Sequence, residues 1–196
     1  MTAGIGHNSG RVDAPGKSWR KHAWTKARKQ LIRTLPVEIV RLRVRRAKEL
    51  GLPYKTYAGI RASTGHDLIG FLFSNNALQV LRDGAVLPDD RAAKLDALQH
   101  TARIAITHAR VSPDYLAGLP QIDRAGTAPP FSATWSDMRD QLRVIVTGDG
   151  QPADRYVLIG DTAFEREWAE AAKMAGYLAA PEFFDGDGAP GASTHP

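Results

Sequence analysis

The sequence contains no cysteine, which removes disulfides, thiolate metal ligands and thiol nucleophiles from consideration together. It also has no run of eighteen or more apolar residues, so no membrane-spanning helix is expected. The opening residues, MTAGIGHNSGRVDAPG, lack the apolar centre of a secretory signal. With no thiols and no export signal, a soluble protein of the cytoplasm is expected. What the front of the chain lacks most is acid. Residues 1–62 carry fifteen Lys/Arg against three Asp/Glu, and residues 63–196 carry eleven against eighteen. Charge separated this far along one chain points to a polyanionic partner or to an internal clasp between opposite charges.

What is present suits a globular protein with a real core: 196 residues, 43% hydrophobic and 24% charged. Four stretches are expected. Residues 1–17 are rich in Gly, Ser and Pro with few apolar groups, and predict a disordered arm. Residues 18–62 predict a basic helical segment. Ser18 can cap a helix to about Arg33, with Trp24, Ala27 and Leu31 on one apolar face. Thr34 can cap a second helix with Pro36 in its first turn and Gly51 and Pro53 beyond its end. Val37, Val40, Val44 and Ala47 are its expected buried stripe, and residues 54–62 add a short third helix.

Residues 63–184 predict an α/β domain. LIGFLF at 68–73, RIAIT at 103–107 and RYVLI at 155–159 are short apolar runs of the kind that form buried strands. Helical segments at 88–100, 132–146 and 162–176 separate or follow them. Strands alternating with helices predict a small Rossmann-like, mainly parallel sheet flanked by helices. Residues 117–130 read as a long connecting loop, and 185–196 as a disordered tail.

Eleven basic residues lie in the two leading helices: Arg20, Lys21, Lys26, Arg28, Lys29, Arg33, Arg41, Arg43, Arg45, Arg46 and Lys48. Lys and Arg that neutralise phosphates release condensed counterions, which supplies most non-specific affinity for nucleic acid. Trp19 and Trp24 can stack on unpaired bases or serve as core anchors. No recognition motif with defined spacing accompanies them. The leading expectation is therefore a non-enzymatic nucleic-acid-binding or regulatory protein. An adaptor whose basic helices bind an acidic protein is a further reading. A membrane is not expected as partner, because the helices need their apolar faces for burial.

Residues 152–177, PADRYVLIGDTAFEREWAEAAKMAGY, run as a strand ending in Gly160-Asp161 and a helix closing at Ala175-Gly176. This resembles the last motif of the haloacid dehalogenase (HAD) superfamily, whose acidic residues help to hold magnesium. The resemblance gives Asp161 that role and offers Glu165 as a second acidic group. Ile104–Thr107 is similar to the family's second motif, in which Thr107 would bind the phosphoryl group. Phe71–Phe73 followed by Ser74-Asn75-Asn76 stands where the first motif lies. The family requires an aspartate nucleophile and a second aspartate two residues on, and this chain has Ser74 and Asn76 there. The third-motif lysine has no counterpart beyond Arg139. The resemblance implies a HAD-like enzyme for a phosphorylated small molecule, or a pseudoenzyme. Magnesium is implied only if that kinship holds, since a phosphoaspartyl mechanism needs a carboxylate nucleophile and the metal needs anionic oxygens.

Other constellations are excluded. The six histidines (His7, His22, His66, His100, His108, His195) have no metal-ligand spacing, although His100 and His108 could lie near one another. No G-x-S-x-G surrounds Ser74. Gly148-Asp149-Gly150 does not open a phosphate-cradling helix. Asp185-Gly186-Asp187-Gly188 lacks the remaining ligands of a calcium loop.

Overall fold

The computed structural model describes residues 35–108, 110–148 and 150–186. The expected arm, the first helix with Trp19, Trp24 and Arg20–Arg33, the Thr34 cap, and all but the first two residues of the tail lie outside them. By its contacts the chain divides into two compact units, Met1–Val40 and Arg41–Pro196.

Helix α1 (Val37–Glu49) ends as expected at Gly51, which takes φ +62°, while Leu52 N–H closes back on the Ala47 carbonyl. The left-handed conformation there is one that only glycine enters without cost. The expected apolar stripe needs correction. Ala47 is buried, but Val37 and Val44 are exposed. Only the last turn of α1 and the turn after it, through Ala47, Leu50 and Leu52, join the core. Helix α2 (Tyr54–Thr64) follows and buries Tyr57.

Five strands then alternate with helices: β1 (Gly70–Ser74), α3 (Asp89–Asp96), β2 (Ala102–Thr107), α4 (Pro113–Ala117), β3 (Arg124–Thr127), α5 (Trp135–Val146), β4 (Tyr156–Gly160), α6 (Ala163–Ala171), β5 (Gly176–Ala179) and α7 (Ala180–Phe184). All pairings are parallel, in the order β3-β2-β1-β4-β5. This is the expected Rossmann-like α/β sheet.

The side-chain period of two divides each central strand between two cores. Phe71 and Phe73 of β1 face one side, with Tyr57 of α2, Leu95 of α3, Leu116 of α4 and Phe183 of α7. Leu72 faces the other, with Met138 and Leu142 of α5 and Trp168 of α6. A strand covered on both faces has to be apolar throughout, which is why β1, β2 and β4 are visible as unbroken runs. Burying each such side chain contributes about 1.5–3 kcal/mol.

The expected loop at 117–130 contains β3, paired with β2 from Ile104↔Arg124 to Thr107↔Thr127. RAGT has no apolar run because β3 is the sheet's edge, with none of its residues fully buried. Gly126 is required there, since a Cβ would stand 2.8 Å from Ile145 Cγ1. His100 and His108 are not neighbours. They flank opposite ends of β2, whose six residues span about 20 Å at roughly 3.3 Å per residue.

The strand order reverses at β1. From there the chain steps outward through β2 to β3, then returns to β1's other side as β4. Open parallel sheets take their ligands outside the carboxyl ends of the strands at such a reversal.

Candidate functional site at the carboxyl edge of the sheet

The resembled positions all fall on this edge: Ser74 at the end of β1 with Asn76 just beyond, Thr107 at the end of β2, and Asp161 after β4. What joins three of them is Glu165. Thr162 caps α6, its hydroxyl accepting from Glu165 N–H at 3.2 Å, and the Glu165 carboxylate reaches back as the other half of a capping box. Glu165 Oε2 accepts from Asp161 N–H at 2.6 Å and Thr162 N–H at 3.0 Å. Its Oε1 accepts from Asn76 Nδ2 at 2.9 Å and pairs with His108 Nε2 at 3.1 Å. Ser74 lies close enough to the same carboxylate to help hold its pKa down, and its oxygen accepts from Ala77 N–H at 3.0 Å.

Glu165 is 0% exposed. Burial alone pushes its carboxyl up. The bonds from His108, Asp161 N–H, Ser74 and Asn76 pull it down, and together they outweigh burial, so it stays below the usual glutamate value. The positive end of α6 acts in the same direction. An ionised carboxylate only accepts, so His108 Nε2 carries the proton in this pair. The carboxylate has about four acceptor positions, and the donors above fill them.

Gly160 makes room for this arrangement. A Cβ at that position would lie 2.7 Å from Tyr177 Cε2 and 2.9 Å from Glu165 Oε2. The Gly-Asp step is thus explained by close approach of the buried carboxylate.

Asn75 performs a related task on the other side. Its Nδ2 donates to the Val80 carbonyl at 3.0 Å, and its Oδ1 accepts from His108 N–H at 2.8 Å. The turn after β1 and the segment after β2 are thereby tied together. The His108 ring packs on Trp168 with centroids 5.0 Å apart, and Trp168 meets Phe164 edge-on at 5.6 Å. Phe131 stacks on Phe164 at 4.2 Å and 24°.

Beside this sealed carboxylate lies an open cleft of about 690 Å³, outside the ends of β1, β2 and β3. Its polar lining comes from Asn75, Asn76, His108, Arg110, Thr127 and Gln141, and its apolar wall from Leu81, Ala128, Pro129, Pro130 and Phe131. Among the described residues of that lining, Arg110 is the one permanently charged side chain, and no carboxylate is present.

The sequence expectations map unevenly onto this site. Asn76 lines the cleft while bound to Glu165. Ser74 is buried beneath it. Thr107 is buried with its hydroxyl 3.4 Å from the Gly126 carbonyl, and is not in the lining. Asp161 contributes its backbone N–H. Arg139 pairs with the adjacent Asp140 at 2.8 Å on exposed surface, away from the lining. Sequence reasoning gave no role to Arg110, Phe131 or Gln141, which come from loops and α5 and share no motif.

The basic residues of α1 also divide. The Arg46 side chain is 17% exposed, donates to the carbonyls of Leu68 at 2.8 Å and His100 at 3.2 Å, and pairs with Glu49 and Asp67. Arg45 is 71% exposed with a loose 3.7 Å contact to Glu49, and Arg41 and Lys48 are exposed. Arg43 is half-buried.

Among the described residues, no helix is long and apolar enough to cross a membrane, and no group of three or more His, Asp or Glu is gathered to hold a metal ion. Compared with known proteins, the chain matches no family model, no curated protein and no solved structure.

Proposed function

We propose that this is a binding or regulatory protein whose carboxyl-edge cleft takes a phosphorylated small molecule without phosphoaspartyl turnover. The observation that carries the reading is the contrast at one sheet edge. Among the described residues, the cleft lining holds a cation and no anion, while the neighbouring carboxylate is fully bonded. Arg110 offers a forked donor suited to phosphate oxygens, with the Thr127 hydroxyl and the His108 ring in the same lining. Ser74, Asn76, Thr107 and Asp161 falling on one edge supports a HAD-like ancestry that has lost its chemistry.

The donor set argues against magnesium. That ion asks for carboxylate oxygens with free lone pairs in octahedral array, whereas Glu165 has spent its own on protein donors and amide and hydroxyl replace the two family aspartates. No step is therefore assigned to a metal, and no residue to nucleophilic attack.

The test is calorimetric titration with ribose 5-phosphate and glycerol 3-phosphate, with and without magnesium. Binding independent of the ion is expected, weakened about tenfold or more by Arg110→Ala, as for loss of a charged hydrogen bond. Failure of both compounds to bind removes the reading.

A second reading rests on Arg41, Arg45 and Lys48, which α1 exposes to solvent while Arg46 turns inward. These support phosphate contacts with nucleic acid, together with the basic residues of 20–33. Retardation of random DNA or RNA at about 50 mM salt, falling steeply as salt rises, is the expected result. An acidic protein partner would instead co-purify with the chain and be lost on deleting residues 1–50.

A further inference from the structure

The cleft offers more than a phosphate requires. A phosphate group fills a small part of about 690 Å³, a volume in the range of pockets that enclose whole organic ligands. One wall is aromatic. Phe131 is 77% exposed, an unusual state for a phenylalanine in an ordered segment, and its ring is held rather than loose. It stacks on Phe164 at 4.2 Å and lies within 25° of parallel to the His108 ring, 6.4 Å away. Pro129 and Pro130 immediately before it restrict the backbone that carries it. An exposed ring fixed in this way is a preorganised stacking surface, and every nucleobase has a π-face to lay on it. On the same lining, Gln141 of α5 has an amide that bonds no other group among the described residues. Such an amide can donate and accept at once, as the edge of a base demands. Arg110 supplies the charge at the cleft, with no carboxylate among the described lining residues to oppose a ligand's own negative charge.

Resting on the phosphate reading above, we infer that the ligand is a nucleoside monophosphate, its base stacked on Phe131 and edged by Gln141 and its phosphate held by Arg110. The base face supplies affinity with little discrimination among bases, so stacking sets the ligand class and Gln141 sets preference within it. No bond is made or broken in this inference.

The experiment titrates the full chain with adenosine, guanosine, cytidine and uridine 5′-monophosphates, with ribose 5-phosphate, and with adenosine. Nucleotides are expected to bind about tenfold or more tighter than ribose 5-phosphate, the ratio that one base–aromatic stack supplies. Phe131→Ala and the still apolar Phe131→Leu should both erase that ratio, weakening the nucleotides far more than ribose 5-phosphate. Because the ring is exposed, both variants should keep the far-ultraviolet circular dichroism of the parent. Equal affinity for ribose 5-phosphate and the nucleotides overturns the inference and leaves the phosphate reading standing. So does a Phe131→Ala variant that weakens both alike. Adenosine binding as tightly as its monophosphate, or no binding by any phosphorylated compound, overturns both.

Discussion

Two regions of one sheet edge have been put to opposite uses. The crevice between β1 and β4, where an open parallel sheet normally receives its ligand, is occupied by the protein's own Glu165. Next to it, over β1 to β3, the chain leaves a cleft with a cation, Arg110, and an aromatic wall. The sealed side shows how a carboxylate can be buried ionised when it gathers enough donors, including two backbone N–H groups at a helix start. The open side shows the converse: Asn75, Asn76 and His108 are engaged with the protein, and Arg110, Thr127 and Gln141 present the polar groups left for a ligand. That Ser74 and Asn76 are not acidic makes the first possible, since like charges beside Glu165 would force one of them to take a proton.

The sharpest way to break this contrast is to remove the sealing carboxylate. Glu165→Ala leaves the N–H groups of Asp161 and Thr162 and the Asn76 amide facing each other without an acceptor. A loss of about 3–5 kcal/mol in denaturant unfolding is expected, as for breaking other buried polar networks. A loss under about 1 kcal/mol would mean that water or relaxation replaces the carboxylate, and that the site is not sealed. Gly160→Ala attacks the same lock from its wall. Overpacking against Tyr177 and Glu165 should cost about 1–3 kcal/mol, with unchanged affinity at the open cleft.

Acid tests the lock without mutation. Glu165 titrates below its ordinary value in the folded protein. Its stabilisation is therefore complete above the unfolded glutamate pKa, about 4.3, and is lost as pH falls through the lower folded value. Parent stability should fall more steeply below about pH 4.5 than that of Glu165→Gln. Parallel curves would contradict the assignment.

The two arginines of α1 provide a smaller version of the same comparison. Arg46→Met removes donors from the Leu68 and His100 carbonyls and should cost about 1–2 kcal/mol. Arg45→Ala, at an exposed and loosely paired position, should stay within about 0.5 kcal/mol. If Arg45→Ala alone weakens nucleic-acid retardation, the two side chains have separate jobs, one structural and one available to an external anion.

How much of this was legible beforehand follows the same division. β1, β2 and β4 were visible because strands covered on both faces are apolar throughout. β3 and β5 were not, because RAGT and GYLA are edge strands only partly buried. The sealed site was partly readable from the spacing of Thr162 and Glu165 around a strand-to-helix turn, and from the Gly-Asp step before it. Thr107 was placed at the end of β2, but the residue that reaches the cleft is its neighbour His108, the first beyond the strand, while Thr107 is buried within the sheet. Arg110, Phe131 and Gln141 left no local signal. They meet only because the order β3-β2-β1-β4-β5 brings two loops and one helix to the same end of the sheet.

Backbone amide shifts recorded by nuclear magnetic resonance while a nucleoside monophosphate is added test the central claim most directly. The account predicts changes concentrated at Asn76, His108, Arg110, Thr127 and Phe131. Shifts confined to α1, or none along the carboxyl edge of the sheet, would contradict it.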